Sequence, residues 1–248
     1  MFSQHRSTLS EYSAGNLIAW LAMAFQAGTI NTGGFLSCHR FVSHVTGFAT
    51  MIGTEGAQGN WNEALGFLSV PGFFIGGAMI SAFFVDRRIQ TDRRPLYPLV
   101  MGLIFLLTLL VTIAGTMGFF GGFGAPASLQ RDYMLLAALC LACGLQNATV
   151  TSAFGAVVRT THLTGITTDL GIGVMRVLSR SHKIQPRPNE IRANWMRAGL
   201  ISSFVAGSLT SAYVYVHAQY WGFLIPCSIA TILFFWSLLR FKDRYTTS

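Results

Sequence analysis

Apolar residues come in long blocks separated by short polar stretches. A membrane-crossing helix needs about 20 mostly apolar residues. Six blocks qualify: Asn16–Leu36, Ala64–Val85, Pro98–Phe120, Tyr133–Phe154, Ala198–His217 and Trp221–Leu239. Two shorter blocks, Gly47–Gly59 and Leu163–Leu178, are rich in Gly and Thr and fall short of a crossing. The polar stretch from Met1 to about Gly15 leads into a full-length apolar block without a small-residue cleavage site, so that block reads as a retained span. The pattern predicts an all-α membrane protein with six transmembrane helices plus two short re-entrant or half-helices, in a single integral membrane domain over 1–248.

The placement of basic residues decides how the short blocks run. If both dip in and return, fifteen of the seventeen Lys and Arg residues face one side, and only Arg40 and Arg131 face the other. If both cross, the better orientation leaves eleven on one side and six on the other. Loops on the cytoplasmic side carry the excess of Lys and Arg. Six crossings therefore fit better, with both termini cytoplasmic in a plasma (bacterial inner) membrane.

The chain also repeats itself. Gly28-Thr29-Ile30-Asn31 matches Gly144-Leu145-Gln146-Asn147 as G-x-x-N. His44-Val45-Thr46-Gly47-Phe48-Ala49-Thr50 matches His162-Leu163-Thr164-Gly165-Ile166-Thr167-Thr168 as H-x-T-G-x-x-T. Phe74, Gly77, Ser81 and Ala82 match Phe204, Gly207, Ser211 and Ala212 in the same order. Repeat 1 covers about 12–121 and repeat 2 about 131–240. Three crossings per half turn the second copy upside down, which predicts two inverted-topology repeats. Transporters of this build hold their solute near the midplane. Irregular backbone inside a bilayer must be covered by protein or water, so the short segments are expected to line the centre of the bundle.

Composition agrees with a membrane chain: 52% hydrophobic and 10% charged, against about 25% charged in soluble domains. The net charge of +8 would suggest a nucleic-acid partner in a soluble protein. Here the cations lie between apolar blocks, and no basic patch alternates with aromatics as a nucleic-acid groove requires. The lipid bilayer is the expected partner. Cys140 and Cys143 form C-x-x-C inside an apolar block without a second pair, which reads as small packing residues.

Several residues carry candidate chemistry. Asp169 is the acidic residue deepest in a short segment, with Met51 as its counterpart. A charge at mid-bilayer costs about 3 kcal/mol or more, so it needs a partner or a cavity. Asp169 reads either as a proton, cation or cationic-solute site, or as a capping carboxylate paired with Arg159 or Arg176. Asn31, Gln146 and Asn147 either hydrogen-bond a solute or join helices, and the repeated Asn favours tying each short segment to its long span. His44 and His162 precede the short helices and can cap backbone or titrate. They start from opposite faces, so no metal and no cofactor is expected. Thr46, Gly47, Thr164, Gly165 and Thr168 open the short helices, where free N–H groups suit an anionic group or plain capping. Gly199, Ser203, Gly207 and Ser211 form a small-residue ladder, as do Gly77 and Ser81, and such ladders serve packing within one chain or in a homodimer. Pro71 is expected to kink the second span. There is no G-x-S-x-G, H-E-x-x-H or Walker A loop, so no enzyme is expected.

The stretch GLQNATVTSAFGAVVRTTHLTGITTDLG, with the earlier H-V-T-G, resembles the YoaK-like family of multi-pass membrane proteins, a domain of unknown function. The likeness covers nearly the whole chain and is most specific at Gly144–Asn147 and Leu163–Gly171. Family members usually carry Asn after the first Thr-Gly, where this chain has Phe48. The expected function is a transporter or facilitator for a small solute, with proton coupling through Asp169 as one form. A passive channel and a non-transporting scaffold or assembly protein are the alternatives.

Overall fold

A computed structural model describes residues 14–126, 128–154, 163–179 and 187–243. Every regular element among them is helical: α1 (Ala14–Cys38), α2 (Val45–Ala57), α3 (Trp61–Phe84), α4 (Asp86–Gln90), α5 (Tyr97–Thr116), α6 (Leu129–Phe154), α7 (Leu163–Leu178), α8 (Arg187–Ala218) and α9 (Leu224–Asp243), with a 3-10 turn at Gln219–Phe223 between the last two. A helix satisfies its backbone hydrogen bonds internally, which is what a hydrocarbon surrounding demands.

Four helical stretches among the described residues are long and apolar enough to cross a membrane: Trp61–Gln90, Tyr97–Thr116, Leu129–Ser152 and Pro188–Leu239. The last is 52 residues long and takes in most of both α8 and α9. Helix α1, whose apolar run is broken by Asn16, Gln26, Thr29 and Asn31, is not among these stretches. Large apolar side chains such as Leu68, Met79, Leu110, Leu209 and Phe235 point outward, as they do in a protein bathed in lipid.

The observed α8 starts eleven residues before the predicted Ala198. Pro188 suits a first helical turn, and Arg197 bonds back to Glu190 and Asn194 along one face. This polar extension is invisible to a search for apolar runs. Helix α3 runs on through Pro71, whose ring removes the hydrogen bond to the Phe67 carbonyl.

Helices α1, α6, α5 and α9 contact one another in a closed ring. Outside it, α8 lies along α1 and α3 lies along α6. The apolar core falls into two clusters. One gathers Trp20, Met23, Met101, Ile104, Leu145, Leu200 and Leu233. The other gathers Ile30, Phe67, Val111, Leu139, Tyr215 and Phe223. Along each helix the stretch between the clusters carries small or polar residues: Gln26, Gly28 and Thr29 on α1, Gly77 on α3, Thr108 on α5, Gly144 on α6, Gly207 on α8 and Cys227 on α9. These form a waist midway through the bundle.

The short helices depart from expectation. They were expected to line the centre; instead α2 packs on α3 and α7 packs on α8, flanking the ring. One stripe of each turns inward, Phe48 on α2 and Ile166 with Gly173 on α7. The remaining faces are exposed. The physical reason is lack of room: the long helices approach so closely at the waist that no third helix fits between them.

Candidate functional site

The waist is built by glycine crossings. A Cβ on Gly28 of α1 would collide with the Phe204 carbonyl of α8, and one on Gly207 would collide with the Phe25 carbonyl. A Cβ on Gly144 of α6 would collide with the Phe74 carbonyl of α3, and one on Gly77 would collide with the Leu141 carbonyl. Only glycine lets two helix backbones touch in this way. Gly28 and Gly144, Phe74 and Phe204, and Gly77 and Gly207 are pairs matched in the sequence repeat. The Ser81 and Thr149 hydroxyls add a 2.8 Å hydrogen bond across the α3–α6 crossing.

Two fully buried amides sit at the waist. Gln146 Nε2 on α6 donates to the Met23 carbonyl of α1 at 2.6 Å. Gln26 Nε2, one turn further along α1, donates to the Pro226 carbonyl of α9 at 2.8 Å. The opposite amide orientation would set each side-chain oxygen against a carbonyl oxygen. Gln26 Oε1 and Gln146 Oε1 have no hydrogen-bond partner among the described residues. A buried acceptor without a donor costs about 1–3 kcal/mol, so the waist is the place in the core ready to receive a donor.

Asn31 ties the first short segment to its long span. Its Oδ1 accepts from Ser43 Oγ at 2.9 Å and from Ser43 N at 3.4 Å. Cys140 Sγ donates to the Val42 carbonyl at 3.2 Å, fixing the same loop to α6. The chain therefore turns back alongside α1 before α2 begins at Val45. His44 precedes α2 without capping it by its side chain. Its ring stacks on Phe41, and the partial loss of solvent around the ring lowers its pKa below the usual 6.5.

The repeated threonines are not caps. Thr50 Oγ1 donates to the Thr46 carbonyl at 3.3 Å, and Thr168 Oγ1 donates to the Thr164 carbonyl at 2.9 Å. The spacing in T-G-x-x-T thus satisfies a hydroxyl on its own helix, one turn back.

The sequence-derived candidates therefore divide. Asn31, Gln146 and Asn147 are buried in the bundle, whereas His44, Thr46, Thr164, Gly165, Thr168 and Asp169 are exposed and Gly47 is half-buried. They do not converge on one pocket. Arg176, weighed as a partner for Asp169, instead approaches Glu190 at 3.8 Å. His162 and Arg159 lie outside the described residues. Among the described residues no three His, Cys, Asp or Glu side chains converge as a metal site would require. Gln26 was missed, although an amide in the middle of the first apolar block was the available signal.

No curated protein and no solved structure matches the chain. A family model described as "Protein of unknown function (DUF1275)" matches residues 19–236, nearly the full length, in agreement with the YoaK-like resemblance. This helical membrane protein, with its glycine-crossed waist, belongs to the DUF1275 family.

Proposed function

We propose that the chain is a small-solute transporter or facilitator made of two inverted-topology repeats, with its site at the waist between α1 and α6. Six helices cross and two short ones re-enter. Both termini are cytoplasmic in a plasma (bacterial inner) membrane. The observation that carries this reading is the reciprocity of the crossings. Gly28 meets the Phe204 carbonyl as Gly144 meets the Phe74 carbonyl, with the halves exchanged. The helix partners follow the same rule: α1 with α8 and α6 with α3, α2 with α3 and α7 with α8, α1 with α9 and α6 with α5. Helices α1 and α6 meet each other, as do α5 and α9, so they lie about the relating axis.

Two halves related in this way can exchange conformations at little cost, which opens a central site to one side and then to the other. Gln26 and Gln146 offer oxygen acceptors at that level, so the solute is held through its N–H or O–H groups. Asp169, on the outward face of α7, is assigned no part in binding.

The test is flux in vesicles. Purified protein in liposomes should speed entry of at least one small polar solute, with a rate that saturates in the millimolar range. Gln146→Leu should lower that rate and leave a folded protein, because an apolar residue of similar size replaces an amide with an unmet acceptor. A rate linear in concentration would mean a channel. No flux of any solute tested, with a partner protein copurifying, would replace transport by scaffolding.

A further inference from the structure

We propose that the waist selects a small ammonium-type cation, a solute with N–H donors on every side and no acceptor of its own. This rests on the reading of the waist as the solute site and names the class of solute it takes.

The polar atoms at the waist are one-sided. Gln26 Oε1 and Gln146 Oε1 are fully buried acceptors with no partner among the described residues. Their amide nitrogens are anchored on main-chain carbonyls, Gln26 on Pro226 and Gln146 on Met23. Met23 lies three residues before Gln26, so the two amides engage α1 within one turn of each other. The nearby hydroxyls turn their hydrogens back onto their own helices. Thr29 Oγ1 donates to the Gln26 carbonyl at 2.7 Å, and Thr108 Oγ1 donates to the Ile104 carbonyl at 2.9 Å. What these groups have left to offer is oxygen lone pairs, which repel an anion and attract a donor.

The two amides also break the repeat. In the register set by G-x-x-N, Ile30 stands opposite Gln146 and Ala142 stands opposite Gln26. Asn31 and the crossing glycines recur because each half needs the same tie and the same close approach. Gln26 and Gln146 have no such counterpart, and a buried acceptor left unmet is a cost to the fold. An arriving donor removes that cost.

Charge and size narrow the class. Divalent ions are held mainly by carboxylates. The buried carboxylates among the described residues, Asp132 and Glu190, are each paired with arginine. They lie about 18 Å and about 25 Å along their helices from Gly144 and Gly207, at 1.5 Å per residue. A monovalent cation needs only neutral oxygens, as the carbonyls of channel filters show. Backbones in contact at the glycine crossings leave room for a small ion only.

Two assays on the full chain test this. In detergent, ammonium chloride should raise the unfolding temperature at concentrations where potassium chloride and tetramethylammonium chloride leave it unchanged. Tetramethylammonium carries the charge without N–H groups. Gln146→Leu should raise the half-maximal ammonium concentration about tenfold or more, the loss expected for one hydrogen bond to a charged group. In liposomes at about pH 6, where the neutral amine is scarce, labelled methylammonium should enter with a saturable rate. Ammonium should compete with it, and urea and formate should not. Equal stabilisation by potassium or tetramethylammonium in wild type would overturn the proposal, and so would an unshifted midpoint in Gln146→Leu. Uptake of urea or formate without methylammonium would overturn it and leave the transport reading standing. Selective stabilisation by ammonium without uptake of any solute would keep the cation site and remove transport.

Discussion

Gly144→Ala tests the waist directly. The new Cβ would enter the space of the Phe74 carbonyl, with Ala78 N also within contact. Comfortable carbon-to-oxygen separations are about 3.3–3.6 Å, so α3 and α6 must part by on the order of 1 Å. Helix backbone cannot yield as a flexible side chain does, so the whole crossing shifts and strains the Ser81–Thr149 bond. Overpacking of this kind costs about 1–3 kcal/mol. Gly72→Ala on α3 is the control, since nothing lies within 4 Å of its added Cβ. That change should be neutral or stabilise by about 0.5–1 kcal/mol through reduced backbone entropy. Reversible unfolding in mixed micelles measures both. Gly28→Ala should cost the same as Gly144→Ala to within about 0.5 kcal/mol, because it meets the Phe204 carbonyl in the same way. A Gly144→Ala protein as stable as Gly72→Ala would refute the crossing argument. Unequal costs for Gly28 and Gly144 would refute the equivalence of the halves.

Asn31→Ala should destabilise by about 1–3 kcal/mol, since Ser43 loses the acceptor of its amide and hydroxyl; faster protease cleavage between Cys38 and Val45 would report it. Glu190→Gln should cost about 3 kcal/mol by leaving mostly buried Arg197 without its counter-charge, read as a lowered unfolding midpoint. His44 has a folded-state pKa below its unfolded value, so the unfolded chain binds more protons between the two. Stability should therefore be full above pH 6.5 and fall as pH drops from 6.5 through the lowered pKa. His44→Gln should remove that slope, and an unchanged slope in thermal melts would count against the assignment.

The all-helical fold, with apolar helices long enough to cross a membrane, was largely legible before any coordinates. Hydropathy is a local property, and a run of apolar residues long enough for lipid is helical wherever it packs. The exceptions mark the limits of that logic. The start of α8 at Arg187 escaped because its first turns are held by polar bonds among Glu190, Asn194 and Arg197. The short helices were recognised as short, but their position beside α3 and α8 was not foreseen. It depends on how closely the long helices approach, and hydropathy carries no information on that.

The candidate site divides along the same line. Asn31 in its tying role was readable, because a polar residue repeated at one register in two apolar blocks has a shared task. Gln26 was passed over, because it lies outside the matched motifs and an amide without a counterpart shows its role only once its neighbours are known. Chain order and composition determined that this is a helical membrane protein with matched motifs in its two halves. Tertiary packing alone decided that Gly28 meets Phe204 and that Gly144 meets Phe74. It also decided that two amide oxygens face the waist with no donor among the described residues. The reason is steric and non-local: contacts between residues some 70 to 180 positions apart arise only when helices cross, and whether a buried polar atom finds a partner depends on those crossings.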